Sequence, residues 1–516
     1  MAHGLLQGFL SVAEPVNLLL VVAGTALGLL VGALPGLSSP MAIVVLLPIT
    51  FAMETLPALL LMIGIYVGTK LGGSFAAILL RTPGTPAAAC TALDGYPMAQ
   101  QGKAGLALGY ATMASTFGGL VSWILAVSFV PLISSIAVKS SNADIALIGI
   151  AGLIMVSAFV RGSMVRGLIG VTLGMLIGTV GLDPQDAVER YTFGNVYLMS
   201  GIPFAAVLIG LFGFTVVLSD LKLIGSREHL IASEINFALP GLRDLLSRWK
   251  AIAIGSLSGT AVGAVPGVGS EGSTWLAYAM TRNRSPHPEK FGTGVPEGIL
   301  APESSNNATT GGTMIPMLTL GIPGDGSTAV MLGALMLHGI EPGIMLMKES
   351  ADVVYGILAG LLVATIVMFV IAWTAIRYFI LILQRDRSWL FPFVLVFATV
   401  GSFAITNTFF PVYIAIGFGI LGYILEQRNF PVVTIVLGVI LGPIIEVNFR
   451  LALALSNNDY TTFVATWPRQ LIVAVVILLF AREVYGGVKR LLEGRGTAGL
   501  PARPLPSTID SEERKR

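Results

Sequence analysis

Residues 78–97 read ILLRTPGTPAAACTALDGYP, an apolar run cut by Thr82, Pro83, Gly84, Thr85 and Pro86, with Arg81 and Asp94 on either side. In a water-soluble chain this would be an ordinary surface turn. The surrounding sequence excludes that reading. Of 516 residues, 54% are hydrophobic and 11% charged, against about 25% charged in soluble domains. Apolar segments at 143–160, 164–181, 198–219, 351–376, 390–408 and 468–481 each approach or exceed the roughly 17–25 residues that cross a hydrocarbon core. They are too long, and alternate too seldom, for a barrel. The composition predicts an all-α polytopic membrane protein with roughly ten to twelve crossings.

The net charge of +2 gives no basic patch for nucleic acid, because the basic residues lie in short loops and at the C-terminus. Cys90 is the single cysteine, so an internal disulfide and a CxxC pair are excluded. The four histidines, His3, His229, His287 and His338, are far apart. No GxxxxGK[ST] stretch is present, so the chain does not itself hydrolyse ATP, and no nucleophile, base and orienting residue group together as an enzyme would need. The first 15 residues contain no Lys or Arg ahead of the apolar run, so no signal peptide is expected.

The broken stretch has a counterpart. GGSFAAILLRTPGTPAA (72–88) is echoed by GGTMIPMLTLGIPGDGSTA (311–329), and VGALPGLSS (31–39) returns as VGAVPGVGS (262–270), 231 residues further on. A looser echo links GLDPQDAVERYTF (181–193) to GPIIEVNFRLAL (442–453). The order of these matches predicts a duplication. Its parts are a first membrane repeat at 1–222, a cytoplasmic linker at 223–250, a second repeat at 251–492, and a disordered basic cytoplasmic tail at 493–516. Lys and Arg favour cytoplasmic loops. AMETLP, after the first Pro-Gly, has none, whereas its counterpart TRNRSPHPEK carries Arg282, Arg284 and Lys290. Opposite sides follow, hence inverted repeats.

Backbone freed by Pro and Gly cannot face lipid, so it must be buried in protein or line a cavity. Paired interruptions in two inverted halves point to a secondary transporter site at the bilayer midplane. The expected features are hairpin tips near 35–40 and 266–273 and helix breaks near 82–86 and 322–327. Substrate contacts are expected from Ser38, Ser39, Thr82, Gly84, Thr85, Ser270, Glu271, Asn306, Asn307, Gly324 and Ser327. A coupling Na+ is expected near Pro35, Gly36, Pro266, Gly267, Glu303 or Asp325, or a proton on Glu271, Glu303 or Asp325. Lys70, Arg81 and Lys103 are candidates to attract an anion, though Arg81 and Lys103 also fit helix ends that snorkel. The patch APESSNNATTGG (301–312) reads either as an intramembrane site or as a solvated loop. Readings as an intramembrane enzyme or a channel stay open at this point.

GALPGLSSPMAIVVLLPITFAM, GIYVGTKLGGSFAAILLRTPGTPAAACTALDGYPMAQQGKAG and APESSNNATTGGTMIPMLTLGIPGDGSTAVMLGALMLHGIEPG closely resemble the large permease subunit of the tripartite tricarboxylate transporters, and the resemblance runs from about 18 to 480. It implies a bacterial inner-membrane secondary transporter driven by an ion gradient, Na+ or H+; the Lys/Arg distribution places the basic tail, Lys489 to Arg516, in the cytoplasm, and no other cofactor is expected. The implied partners are a small four-span membrane subunit, a periplasmic solute-binding protein, membrane lipid and an organic carboxylate such as citrate. An elevator-type movement follows by analogy with transporters of similar repeat design.

Overall fold

The computed structural model describes residues 2–34, 37–159, 164–220, 237–383 and 390–493. Pro35, Gly36, linker residues 223–236 and tail residues 494–516 lie outside that set. Among the described residues, strand structure is confined to the antiparallel pair Gly181–Leu182 and Glu189–Arg190. Everything else regular is helical. Six helices among the described residues are long and apolar enough to cross a membrane: Pro15–Ala33, Thr55–Leu80, Ala92–Ala137, Ala351–Ile376, Phe410–Gln427 and Val432–Leu455. Others, including Ser39–Thr50, Met164–Gly178 and Gly326–Leu337, are apolar but shorter.

After the short first helices Ala2–Ala13 and Leu242–Ser247, each half has two arms followed by a long central helix. In the first half these are Pro15–Ala33, Ser39–Thr50 and Thr55–Leu80. In the second they are Trp249–Gly263, Gly269–Arg284 and Glu297–Leu320. Pro15 opens the first arm, where a missing N–H costs nothing. Ser38 caps the first return arm by accepting from the Met41 N–H at 3.4 Å.

Glycines at every fourth position bring the arms onto the central helices. Gly24, Gly28 and Gly32 press on the backbone of Leu61, Ile65 and Thr69, and Gly64, Gly68 and Gly72 press back on Val21, Thr25 and Leu29. Gly255, Gly259 and Gly263 do the same against Ala301, Ser305 and Thr309. A Cβ at Gly28 or Gly68 would overlap a facing carbonyl. A long helix further along from each break packs on the other half. Ala104–Ala137 lies along Glu297–Leu320, with Gly118 on Ser304 and Gly311 on Ser122, and Ala351–Leu383 lies along Thr55–Leu80.

Glu297–Leu320 is dense in Ser, Asn and Thr, yet it is a helix of 24 residues, buried from Gly298 to Thr319. Its length, about 36 Å, suffices to cross. Its hydroxyls bond back along the helix: Ser304 to Leu300 O at 2.7 Å, Thr309 to Asn306 O at 2.6 Å and Thr310 to Asn307 O at 2.6 Å. That satisfies polar groups which lipid could not.

Outside this body, Met164–Gly178 and Val432–Leu455 interlock at Gly174 and Gly438. The looser sequence echo pairs unlike structures. Residues 181–190 form a hairpin, because the Asp183 side chain accepts from the Gln185 and Asp186 N–H groups at 2.8 and 3.1 Å, whereas its counterpart continues the helix Val432–Leu455 through Pro443. The two stretches nevertheless meet. Arg450 contacts Asp183 at 2.7 Å and Arg190 contacts Glu446 at 2.6 Å.

Two outcomes test this packing. Gly68→Leu wedges the first arm from its central helix and costs at least the roughly 1–3 kcal/mol of an overpacked core. Its melting temperature in detergent falls well below that of the exposed control Leu19→Ala. The backbone N–H groups of Gln185 and Asp186, with Arg450, hold the Asp183 carboxyl down to about 2, below the unfolded value of about 3.9. Its contribution is therefore present above pH 4 and lost as pH falls through about 2. Hydrogen exchange in 181–190, corrected for intrinsic rate, stays constant from pH 7 to 4, whereas Asp183→Asn exchanges faster at pH 7. Loosening of the parent hairpin already at pH 5 contradicts the assignment.

Candidate functional site

One face of Thr55–Leu80 collects groups from both halves. Thr69 Oγ1 donates to Ser39 Oγ at 2.6 Å, and the neighbouring Lys70 Nζ donates to Ser270 Oγ at 2.8 Å. The starts of the two return arms thus meet the same helix one residue apart. Lys70 is 4% exposed. Its Nζ lies 3.5 Å from Asp325 Oδ2 and 4.8 Å from the centroid of the Tyr66 ring. Tyr66 OH donates to Asp325 Oδ2 at 2.7 Å and lies 3.0 Å from Thr313 Oγ1. Asn306 Nδ2 donates to the Lys70 carbonyl at 3.1 Å. Tyr66 beside Thr313 and Lys70 beside Asn306 make the two central helices antiparallel.

The breaks follow one pattern. Each central helix ends on a left-handed residue, Arg81 at φ 59° and Gly321 at φ 69°, and four residues later an extended residue, Thr85 or Asp325, starts the next segment. Gly84 N–H donates to Gly73 O at 3.1 Å, and Gly324 O accepts from Gly267 N–H at 3.0 Å. Gly84 and Gly324 also sit against the carbonyls of Gly32 and Gly263, where a Cβ would clash. The unwound backbone therefore lies against protein. The halves then differ. Asp325 forms a capping box with Thr328 at the start of Gly326–Leu337, whereas Thr85 makes no cap bond and leads only into the turn Pro86–Ala89.

Several buried polar atoms in this region have no hydrogen-bond partner: Thr85 Oγ1, Ser305 Oγ, Asn306 Oδ1 and Asn307 Nδ2. Each costs about 1–3 kcal/mol if left unmet. Thr85 lies against Gly73, one turn beyond Lys70, and Asn306 lies beside Lys70 on the facing helix, with Asn307 the next residue. Of these unpartnered atoms, the Thr85 and Ser305 hydroxyls and Asn307 Nδ2 can donate a hydrogen bond, whereas Asn306 Oδ1 can only accept one.

The remaining sequence candidates are placed as follows. Ser38 is half-buried at its cap, Glu271 half-buried beside Ser270, Ser327 buried in the first turn after Asp325, and Thr82 half-buried in the first break. Pro266 and Gly267 form the second tip, Gly267 at φ 84° against Val156. Pro35 and Gly36 lie outside the described residues. Glu303, 0% exposed, is one turn from Asn306 and accepts from Thr91 Oγ1 and, at 3.1 Å, from Ser115 Oγ. Arg81 and Lys103 are exposed, Arg81 over the Tyr96 ring at 5.6 Å. Tyr66, Thr69, Ser74, Thr91, Ser115 and Thr313 were not singled out in the sequence. Three of them share the Lys70 face at helical spacing, 66, 69/70 and 74, which is the signal that finds them.

The family description that fits residues 18–437 is the tripartite tricarboxylate transporter TctA family. The chain belongs to that family. As a TctA-family chain with membrane-spanning helices, it is a transmembrane permease component of a tripartite tricarboxylate transport system. An uncharacterized 52.8 kDa protein of Agrobacterium vitis, from the TAR-I ttuC′ 3′ region, is 35% identical over 457 residues, 89% of this chain and 91% of its own length. A second uncharacterized protein of that organism, from the TAR-II ttuC′ 3′ region, is 35% identical over 206 residues, 40% of this chain and 85% of its own. No solved structure matches.

In this TctA-family permease, removing one partner of a buried ion pair strands the other, at about 3–5 kcal/mol. Asp325→Asn keeps a good cap but leaves Lys70 uncompensated, so its melting temperature falls sharply. Lys70→Met added to Asp325→Asn restores much of the loss. A double variant no more stable than Asp325→Asn refutes the pairing.

Proposed function

We propose that the chain imports an organic carboxylate, a tricarboxylate such as citrate, across the bacterial inner membrane. A periplasmic solute-binding protein delivers the substrate, a small four-span subunit completes the complex, and a Na+ or H+ gradient drives uptake. The observation that carries this reading is the Lys70 ammonium, buried where both return arms, the second break and the second central helix meet. Ser270 at its Nζ, Ser39 on the neighbouring Thr69 and Thr85 against Gly73 one turn on supply hydroxyl donors for carboxylate oxygens, and Asn307 Nδ2 is a buried amide donor without a partner. Two features support inverted repeats: the antiparallel central helices, and the matching ends Arg81-to-Thr85 and Gly321-to-Asp325. The C-terminus is then cytoplasmic, and an elevator-type movement carries the site between faces.

The test is uptake of labelled citrate by cells expressing all three components. Thr85→Val keeps the side-chain shape and removes one hydroxyl. Losing a hydrogen bond to a charged group costs about 1.5–3 kcal/mol, a roughly ten- to hundredfold weaker apparent affinity. Lys70→Met transports nothing although it reaches the membrane. Normal uptake by both variants moves the site elsewhere. In a Cys90→Ala background, cysteines at the exposed positions Glu54 and His287 label from the periplasm and the cytoplasm respectively. Labelling from one side contradicts the inversion.

A further inference from the structure

Glu303 has a different environment from Asp325. Asp325 Oδ1 accepts from the Thr328 N–H and hydroxyl, and Oδ2 faces Tyr66 and Lys70, so a cation already balances its charge. Glu303 is fully buried, and none of the ion pairs among the described residues includes it. What surrounds it is oxygen. Thr91 Oγ1 lies on Oε1 and Ser115 Oγ on Oε2, and the completely buried Ser74 hydroxyl faces the carboxylate without completing a hydrogen bond. Three separate segments contribute these hydroxyls: the central helix Thr55–Leu80, the stretch after the first break, and the helix Ala104–Ala137.

A buried carboxylate without a basic partner takes up a positive charge. Hard cations prefer oxygen ligands, and here two carboxylate oxygens and three hydroxyl oxygens converge. One carboxylate balances one charge, so a divalent ion would leave an excess buried charge. We propose that Glu303, Ser74, Thr91 and Ser115 form a Na+ site. The Ser74 oxygen, fully buried and without a hydrogen-bond partner of good geometry, is the further ligand. One helical turn separates Glu303 from Asn306, whose amide nitrogen donates to the Lys70 carbonyl. A cation held on Glu303 and an anion held beside Lys70 would therefore order the same stretch of helix, and each would strengthen the other reciprocally. That coupling rests on the carboxylate-transport reading. The cation site itself does not.

The experiment uses the full chain in detergent with no carboxylate present, titrated with NaCl, KCl or choline chloride at constant ionic strength and pH 7.5. Thermal unfolding and equilibrium binding of radioactive Na+ are read together. Na+ alone raises the melting temperature saturably. Ser115→Ala and Ser74→Ala raise the half-saturating Na+ concentration about tenfold, as loss of a bond to a charged group would, and Glu303→Gln abolishes the response. If Glu303→Gln does not fold, the two serine variants decide. Equal stabilisation by K+ or choline overturns the proposal, as do serine variants that titrate like the parent. Stabilisation by acidification to pH 5.5 with no Na+ response makes Glu303 a proton carrier and overturns the Na+ assignment. An intact Na+ response with no citrate binding would strike only the carboxylate reading.

Discussion

An ammonium group held inside a membrane must have a counter-charge and oxygen partners, or the fold that buries it fails. Lys70 obtains these partners from the other half of the chain: Ser270 from a hairpin tip, Asp325 from a helix break, and Asn306 at its own carbonyl from the facing central helix. The consequence is structural as much as chemical. Neither half can complete its polar interior alone, and the two central helices are tied antiparallel by the same contacts that would receive an anion.

Close helix packing makes that arrangement geometrically possible. The glycine rows of Pro15–Ala33 and Trp249–Gly263 draw each arm onto its central helix, and the break loops at Gly84 and Gly324 then rest on the carbonyls of Gly32 and Gly263. Without side chains at those points the unwound backbone reaches protein instead of lipid. Ala104–Ala137 from the first half, with the arms Trp249–Gly263 and Gly269–Arg284, encloses the polar helix Glu297–Leu320. The fold thus tolerates many Ser, Asn and Thr side chains because every lipid-facing position is taken by another helix.

Much of this was legible in the sequence, for identifiable reasons. Pro83-Gly84 and Pro323-Gly324 announce breaks because proline lacks an N–H and glycine allows close approach. The patch at 301–312 was ambiguous between loop and helix. Its hydroxyls settle the matter by bonding to carbonyls three and four residues back, a local pattern that hydrophobicity alone does not reveal. The echo between 181–193 and 442–453 misled in one respect, since the first segment is a hairpin and the second a helix, although their Arg and acidic residues do pair across space. Partnerships such as Lys70 with Ser270, 200 residues apart, depend on how the halves dock. Thr91 and Ser115 were missed because only docking brings them to Glu303.

The central claim is that Lys70 and its neighbours hold the carboxylate. Equilibrium binding of radiolabelled citrate to the purified permease, with Lys70→Met beside the exposed-lysine control Lys103→Met, tests it most directly. The account predicts that Lys70→Met weakens binding at least tenfold while Lys103→Met binds as the parent does. Equal binding by Lys70→Met and the parent would contradict it.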